Sequence, residues 1–331
     1  MIKIIAFNVR EEQKPYIHQW AKERDVEVKM VPYGLTKDTI HEVKDFDGVS
    51  VAEPGNFDSS LYPILKSYGI RNIAQRTAGF ENFNLDVAKE NGIIITNVAA
   101  YSPESIAEFT LYMALRLIRK GSEIENQVKN QDFTWTPKIR GRVIKEMTIG
   151  IVGTGRIGYE VAKLFKGFGC KVLGYDLYPN PKCEDVLEYR PNLEDIVEEA
   201  DVISLHMPST KDNFHIFNRE MFKKFKKGAY LLNAGRGQLI DSQDLLQALD
   251  DGLLEGAALD TYENEASYIP GDFSGKEIED QTFKELLNHP KIDFTHHTAY
   301  YTETSVRNML WIALDLTLEI IQTGTTKDRL N

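Results

Sequence analysis

Cysteine is nearly absent from this chain. Cys170 and Cys183 are the only two among 331 residues, too few for a disulfide framework and without the spacing of a metal-ligand motif. A basic excess is also missing, since 50 acidic side chains against 39 basic ones leave a formal charge of -11. That balance opposes non-specific attraction to nucleic acid or anionic membrane, so neither is expected as a partner. No apolar run reaches the ~18 residues that mark a membrane-spanning helix. The opening MIKIIAF runs straight into strand-like sequence without a charged and apolar leader, and a cytoplasmic protein is expected. Internal repeats and low-complexity tracts are missing too, which excludes solenoids and largely disordered chains. What remains is a 331-residue chain with 42% hydrophobic content, long enough for two domains with separate cores.

The chain is organised around residues 147–176, MTIGIVGTGRIGYEVAKLFKGFGCKVLGYD. An apolar run of strand length, 147–152, stops where Gly153, Gly155 and Gly158 supply G-x-G-x-x-G, and Ile157, Val161, Leu164 and Phe168 then recur at helical spacing. Gly153 suits a tight turn, Gly155 lets a pyrophosphate approach the backbone, and Gly158 lets the helix pack closely on the strand. Free amides at the helix start face the diphosphate. A second apolar run, 171–175, ends at Asp176, where a carboxylate can accept from both hydroxyls of the adenosine ribose. No arginine follows to receive a 2′-phosphate, so the motif predicts NAD rather than NADP.

Ahead of this motif, short apolar runs at 2–7, 26–31, 48–51, 73–75 and 93–96 alternate with polar segments of helical length, which indicates parallel α/β layering. A helix is expected from Ser102-Pro103, with Ser102 as N-cap and Ile106, Phe109, Met113 and Leu117 on one stripe. Residues 101–145 read as a connecting region, with a loop at 130–142. Beyond the motif, strands are expected at 202–205, 230–232, 257–259 and 292–295. The last helix, 303–321, has no sheet of its own. It is expected to return to the first domain and make that domain discontinuous. The fold class is therefore α/β with two doubly wound domains: a Rossmann NAD-binding domain at 101–299, and a flavodoxin-like substrate domain at 1–100 plus 300–331.

Ligands of open α/β sheets bind beyond the carboxyl ends of the strands. Three such ends carry chemistry: Asn233-Ala234-Gly235-Arg236-Gly237, then Asp260-Thr261-Tyr262-Glu263-Asn264-Glu265, then His296-His297. Together they offer an arginine, a carboxylate and a histidine, a set suited to hydride exchange with a 2-oxo acid. Arg236 can grip a carboxylate with its planar fork. A histidine can give a proton to the developing alkoxide, and a carboxylate behind it raises its pKa and fixes its orientation. His206 reads either as cofactor-pocket lining or as packing, and His296 as a structural neighbour. No metal site is expected, because adjacent histidines diverge and no third ligand has motif spacing.

With these motifs in place, the chain resembles the D-isomer-specific 2-hydroxyacid dehydrogenases, most closely their bacterial D-lactate branch. The likeness is carried by Arg76-Thr77-Ala78-Gly79, by Asn97-Val98 with Tyr101-Ser102-Pro103, by the glycine turn, by Ser204-Leu205-His206, and by Asn233 to Gly237, Asp260 to Glu263 and His297-Thr298-Ala299. The motifs keep the family's order and span most of the chain. The resemblance implies Arg236 as carboxylate binder, His297 as acid/base and Glu265 as its partner, with Tyr101 and the Ala78 and Gly79 amides holding substrate. It implies cofactor contacts from Gly153, Gly155, Arg156, Ile157, Gly158, Asp176, Met207, Pro208, Asn213, Ala234, Gly235 and Asp260. It also implies reversible reduction of pyruvate by NADH, and a homodimer formed through the nucleotide domains with the helix after Ser102 as a candidate interface element. A broader D-2-hydroxyisocaproate-type enzyme and an NADH-responsive corepressor-like module are the alternatives. The chain departs from the family's usual prolines at Ala99 and His296. Ala52 stands where some lactate-specific relatives carry a large aromatic, which leaves room for a wider substrate.

Overall fold

The computed structural model describes every residue except Pro54. The chain divides into two units, Met1–Ser102 with Tyr301–Asn331, and Pro103–Tyr300.

Among the described residues the first unit carries a five-stranded parallel sheet of β1 (Lys3–Ala6), β2 (Glu27–Met30), β3 (Gly48–Val51), β4 (Asn72–Gln75) and β5 (Ile94–Thr96), in the order β2-β1-β3-β4-β5. That order is the flavodoxin-like one. Side chains alternate across β1, so Ile5 and Phe7 join Val49, Leu61 and Ile73 in one core, while Ile4 and Ala6 join Trp20, Leu310 and Leu314 in the other. β3 and β4 are buried on both faces, as a covered parallel sheet requires. The second core is closed by the last helix, Glu303–Thr323, which buries Val306, Met309, Leu310, Ala313 and Ile320. Thr302 caps its start by accepting from the Ser305 amide, and Gly324 ends it at φ 82°. Residues 329–331 then run along the edge of β5, with the Leu330 amide donating to Ile95 O at 2.9 Å. This pairing covers an edge strand and had no signal in the sequence pattern.

The second unit has a seven-stranded parallel sheet, β6 (Thr148–Val152), β7 (Lys171–Tyr175), β8 (Glu188–Tyr189), β9 (Val202–Leu205), β10 (Ala229–Asn233), β11 (Leu254–Leu259) and β12 (Ile292–Phe294). Its order is β12-β11-β10-β9-β6-β7-β8, so the chain runs outward from β6 to β8 and then crosses back to β9. The boundary between β6 and β9 is the switch point at which Rossmann sheets bind dinucleotides. Again neighbours on a strand part company: Leu231 faces a core with Ile203, Leu205 and Phe222, and Leu232 one with Ile149, Val161 and Phe165.

Two readings of helical sequence change. In the helix Arg156–Gly167 the buried stripe is Gly158, Val161, Ala162 and Phe165, and Phe168 is exposed at the C-cap. The stripe turns because contact at Gly158, not a large side chain, sets the helix against the strand. The helix Pro103–Ile118 packs on this helix, with Met113, Ala114, Leu117 and Ile118 in its core. Residues 103–145 therefore belong to the second unit instead of forming a free connector. A further helix, Gly121–Lys129, follows; its glycine start and polar composition hid it.

Both cysteines are buried and free, and the Cys170 thiol reaches Ile144 O at 3.2 Å. Burial raises both thiols, which suits packing and not reactivity. No helix among the described residues is long and apolar enough to cross a membrane.

Where β6 and β9 begin, Asp201 accepts from the Thr148 amide at 2.9 Å, Arg142 Nη2 at 3.0 Å and Lys226 Nζ at 3.0 Å. Burial alone would raise its pKa, but these donors outweigh burial and hold it below the usual carboxylate value. Its contribution to stability is thus present above the unfolded-state pKa and is lost as pH falls through the lower folded value. Asp201→Ala should cost about 1–3 kcal/mol in urea unfolding at neutral pH, and the gap from wild type should close on acidification; a gap independent of pH would count against this account.

Candidate active site

The glycine turn has the shape that a dinucleotide requires. Gly153 has φ 93°, and a Cβ there would lie 2.6 Å from the backbone of His206 and Met207; a Cβ at Gly158 would lie 2.0 Å from Gly153 O. The first therefore supplies the turn and the second the tight seat of helix on strand. At Gly155 the same construction meets open space. The helix begins at Arg156 behind a glycine N-cap, which has no side chain to cover the helix start, and such a helix start suits a diphosphate. Asp176, at the end of β7, is half-buried and turned to this loop: Oδ2 accepts from the Thr154 amide at 2.6 Å and Oδ1 from the Tyr178 amide at 2.9 Å. These features fit NAD.

Beyond β9, the half-buried Met207 and exposed Pro208 enter a loop that Asn213 closes, accepting from Thr210 N and donating to Pro208 O. Asn213 thus commits both ends of its amide to the loop. His206 shares a 2.8 Å bond with Ser204 Oγ through Nε2, while Nδ1 is buried without a partner among the described residues. Burial drives its pKa down to about 3, so it stays neutral.

Beyond β10 the chain turns sharply. Asn233 is fully buried; its Oδ1 accepts from the Gly235 amide at 3.0 Å and its Nδ2 donates to Arg236 O at 2.9 Å. This Asx turn presents Ala234, Gly235 and Arg236 at the sheet edge. Arg236 donates to Gly235 O at 3.1 Å, and no carboxylate among the described residues pairs with it. Its fork is left for an anionic ligand.

The strongest constraint lies beyond β11. The Asp260 carboxylate has no exposure; it accepts from Thr295 Oγ1 at 2.5 Å, the Thr298 amide at 2.9 Å and the Ala299 amide at 2.9 Å. Its carbonyl takes the His297 amide at 2.8 Å. These bonds hold His297 at φ 58°, a left-handed conformation that costs a non-glycine residue about 1–3 kcal/mol. Asp260 was expected to contact cofactor. Its carboxylate also binds the 295–299 loop, a role the sequence did not reveal.

In this pose His297 Nδ1 meets Glu265 Oε1 at 2.7 Å, while Glu265 Oε2 accepts from the Tyr262 amide at 3.0 Å. Burial pulls the imidazole pKa down, but the bond and charge of Glu265, aided by Asp260, outweigh that pull and the opposing charge of Arg236. The net shift is upward. With Nδ1 engaged, Nε2 is the nitrogen placed to pass a proton. His296, expected as a structural neighbour, is exposed.

The structure thus brings Arg236, Glu265, His297, Asp260 and the cofactor residues into one unit. Ala78, Gly79 and Tyr101 lie in the other. There Arg76 is buried, bonded to Ser50 Oγ and to the carbonyls of Phe7 and Asn8, its pKa lowered to about 10 by burial. It is an anchor that fixes the exit of β4. The amides of Ala78 and Gly79 that follow donate to no acceptor among the described residues. Asn308 Nδ2 donates to Tyr101 O at 2.6 Å. No group of residues suited to a metal ion occurs among the described residues.

Comparison with known proteins gives a consistent picture. Residues 111–299 match the model of the D-isomer specific 2-hydroxyacid dehydrogenase NAD binding domain. The chain is 52% identical over 330 residues to a D-lactate dehydrogenase of Streptococcus agalactiae serotype III (strain NEM316), covering 100% of both chains. Among solved structures it is similar to a D-lactate dehydrogenase from Treponema pallidum, with a TM-score of 0.93, 38% identity and 100% of both chains covered. A D-2-hydroxyisocaproate dehydrogenase also superposes with a TM-score of 0.93, at 34% identity over 99% of each chain.

The His297 pairing has a direct check. Glu265→Gln keeps most of the shape but removes the charge, so the His297 ring, followed by NMR, should titrate at lower pH than in wild type. An unchanged or raised midpoint would discard the pairing.

Proposed function

We propose that this chain, which belongs to the D-isomer-specific 2-hydroxyacid dehydrogenase family and uses NAD, is a D-lactate dehydrogenase that interconverts pyruvate and D-lactate. The observation that carries the reading is the Glu265–His297 couple held in the same unit as an arginine whose fork meets no carboxylate among the described residues. The nicotinamide supplies or accepts the hydride when bound. Arg236 grips the substrate carboxylate bidentately and so orients the carbonyl. His297 Nε2 donates a proton to the forming alkoxide during reduction, which needs the protonated ring; oxidation of D-lactate needs the neutral ring to take that proton back. Glu265 favours the charged ring, so it extends reduction to higher pH. Ala78, Gly79 and Tyr101 are proposed to hold substrate. Gly153, Gly155, Arg156, Ile157, Gly158, Asp176, Met207, Pro208, Asn213, Ala234, Gly235 and Asp260 are proposed to line the cofactor, with Asn213 and Asp260 also fixing the loops beside it.

The second reading, a broader 2-hydroxyacid dehydrogenase, is favoured by Ala52 and by the equal structural likeness to the isocaproate enzyme. Steady-state rates separate the two. The kcat/KM for pyruvate should exceed that for 2-oxoisocaproate by roughly 10-fold or more, since each unmatched methylene is worth about 1–3 kcal/mol in a fitted pocket. A preference for the branched acid would transfer the assignment. Failure to oxidise NADH with either acid would return the chain to the corepressor-like module.

We place the enzyme in the cytoplasm, where NAD-linked reactions meet their cofactor, and infer a homodimer. The segment from Tyr112 to Val143 exposes Tyr112, Ile124, Val128, Phe133, Trp135 and Val143, with Trp135 96% and Phe133 74% exposed. Apolar surface at this density marks a site that another protein covers, and a second copy of the chain is the proposed occupant. Sedimentation at micromolar concentration should give twice the 37.7 kDa chain mass for wild type and the single mass for Phe133→Ser/Trp135→Ser; a monomeric wild type would dismiss the dimer.

A further inference from the structure

Outside the groups given a role so far, one side chain joins the loops after β9, β10 and β11, which carry Asn213, Arg236 and Glu265. His215 lies in the loop after β9, two residues beyond Asn213. Its Nε2 is 2.8 Å from Glu263 Oε2, and its Nδ1 is 3.3 Å from Asp241 Oδ2. Glu263 belongs to the loop after β11, two residues before Glu265. Asp241 belongs to the segment after β10, five residues beyond Arg236. The backbone repeats the connection: the His215 amide donates to Gln238 O at 2.9 Å, and Gln238 Nε2 donates to Glu263 O at 3.1 Å. Glu263 Oε1 completes the set by accepting from the Ser242 amide at 3.2 Å. Like His297, His215 has a left-handed backbone, φ 52°, a conformation that persists only where surrounding bonds over-determine it.

The need for such a link follows from the sheet. Ladder bonds hold β9, β10 and β11 as far as Leu205, Asn233 and Leu259; past those residues the β9 and β10 segments are joined by backbone bonds of Phe217 to Leu239 and Asp241, and side chains carry the link on to the loop after β11. Gly237 shows how close that spacing is, for a Cβ there would lie 2.2 Å from the Tyr262 carbonyl carbon. The Arg236 turn therefore rests directly on the backbone of the loop that leads to Glu265.

We propose that His215 is a positioning residue for the dehydrogenase reaction: its ring, between Glu263 and Asp241, fixes the Arg236 turn against the Glu265 loop and thereby sets the Glu265–His297 pair. The proposal rests on the functional reading above and adds to it a residue that touches neither substrate nor cofactor. Its leverage is geometric. A displacement of ~1 Å between reacting groups can cost about 100-fold in rate, and the glycine turn and Asp176, which bind the far half of the cofactor, lie outside the network.

His215→Leu keeps comparable bulk and removes both ring nitrogens. Its kcat for pyruvate reduction should fall at least ~10-fold, while the dissociation constant for NADH, read by fluorescence, stays within about twofold. His297 is faced by Glu265, Asp260 and Arg236; a slackened Glu265 loop weakens the one that raises its pKa most. The alkaline limb of pyruvate reduction should then move to lower pH. The His297 ring should show the same move by NMR without turnover, so this readout stands even if the preferred substrate is not pyruvate. His215→Gln, which retains a donor for Glu263, should recover part of kcat, and His215→Leu/Glu263→Gln should lose little more than His215→Leu alone. An unchanged kcat and His297 midpoint in His215→Leu would overturn the proposal. So would losses in which kcat, NADH affinity and melting temperature fall together without rescue by Gln, since those describe a merely structural histidine. Wild type inert toward all 2-oxo acids would instead fail the functional reading, and the NMR midpoint would still decide the role of His215.

Discussion

A carboxylate without exposure must have its acceptors met by the fold, and at Asp260 the donors come from the loop that carries the site histidine. Thr295, Thr298 and Ala299 converge on its two oxygens, and its carbonyl takes the His297 amide. Leaving such a group unmatched costs more than a typical surface bond contributes. The loop therefore accepts a left-handed residue at His297. The imidazole direction follows from that backbone, and the raised pKa follows from the direction, because only in this pose does Nδ1 meet Glu265.

The same economy recurs along the sheet edge. Asn233 closes the turn that exposes Arg236, Asn213 closes the loop beside the cofactor wall, and Glu265 divides its oxygens between its own loop and His297. Parallel strands end without hairpins to tie them, so buried amides and carboxylates take over where ladder bonds stop. A polar group that shapes a loop and one that handles substrate are hard to tell apart by residue type. Asp260 and Asn213 were both expected at the cofactor, and both also tie down a loop: Asp260 through the Thr295 hydroxyl and two amides, Asn213 through backbone alone.

Strand positions, the glycine turn and the return of the last helix were legible in the chain because each rests on local pattern, and Arg236, Glu265 and His297 were singled out there by their strand-end positions and family likeness. Elements without a local period were not. β8 is only two residues long, the helix Gly121–Lys129 has a polar face and a glycine start, and residues 329–331 pair with a strand more than 230 positions away. The stripe on the helix Arg156–Gly167 was misplaced toward Phe168, because periodicity registers apolar side chains and Gly158 makes its contact by having none.

Sequence by itself determined the α/β class, the dinucleotide motif with an acid at the end of its second strand, and the presence of an arginine, a carboxylate and a histidine at strand ends. Apolar spacing and residue type are enough for these. Only the tertiary structure decided which sheet each strand enters, that Arg236 meets no carboxylate among the described residues, that Asp260 binds a loop, and that His215 spans Asp241 and Glu263. The physical reason is distance along the chain. A hydrogen bond between residues 215 and 263 or between 260 and 298 depends on how whole strands are ordered beside one another, and no local period encodes that order.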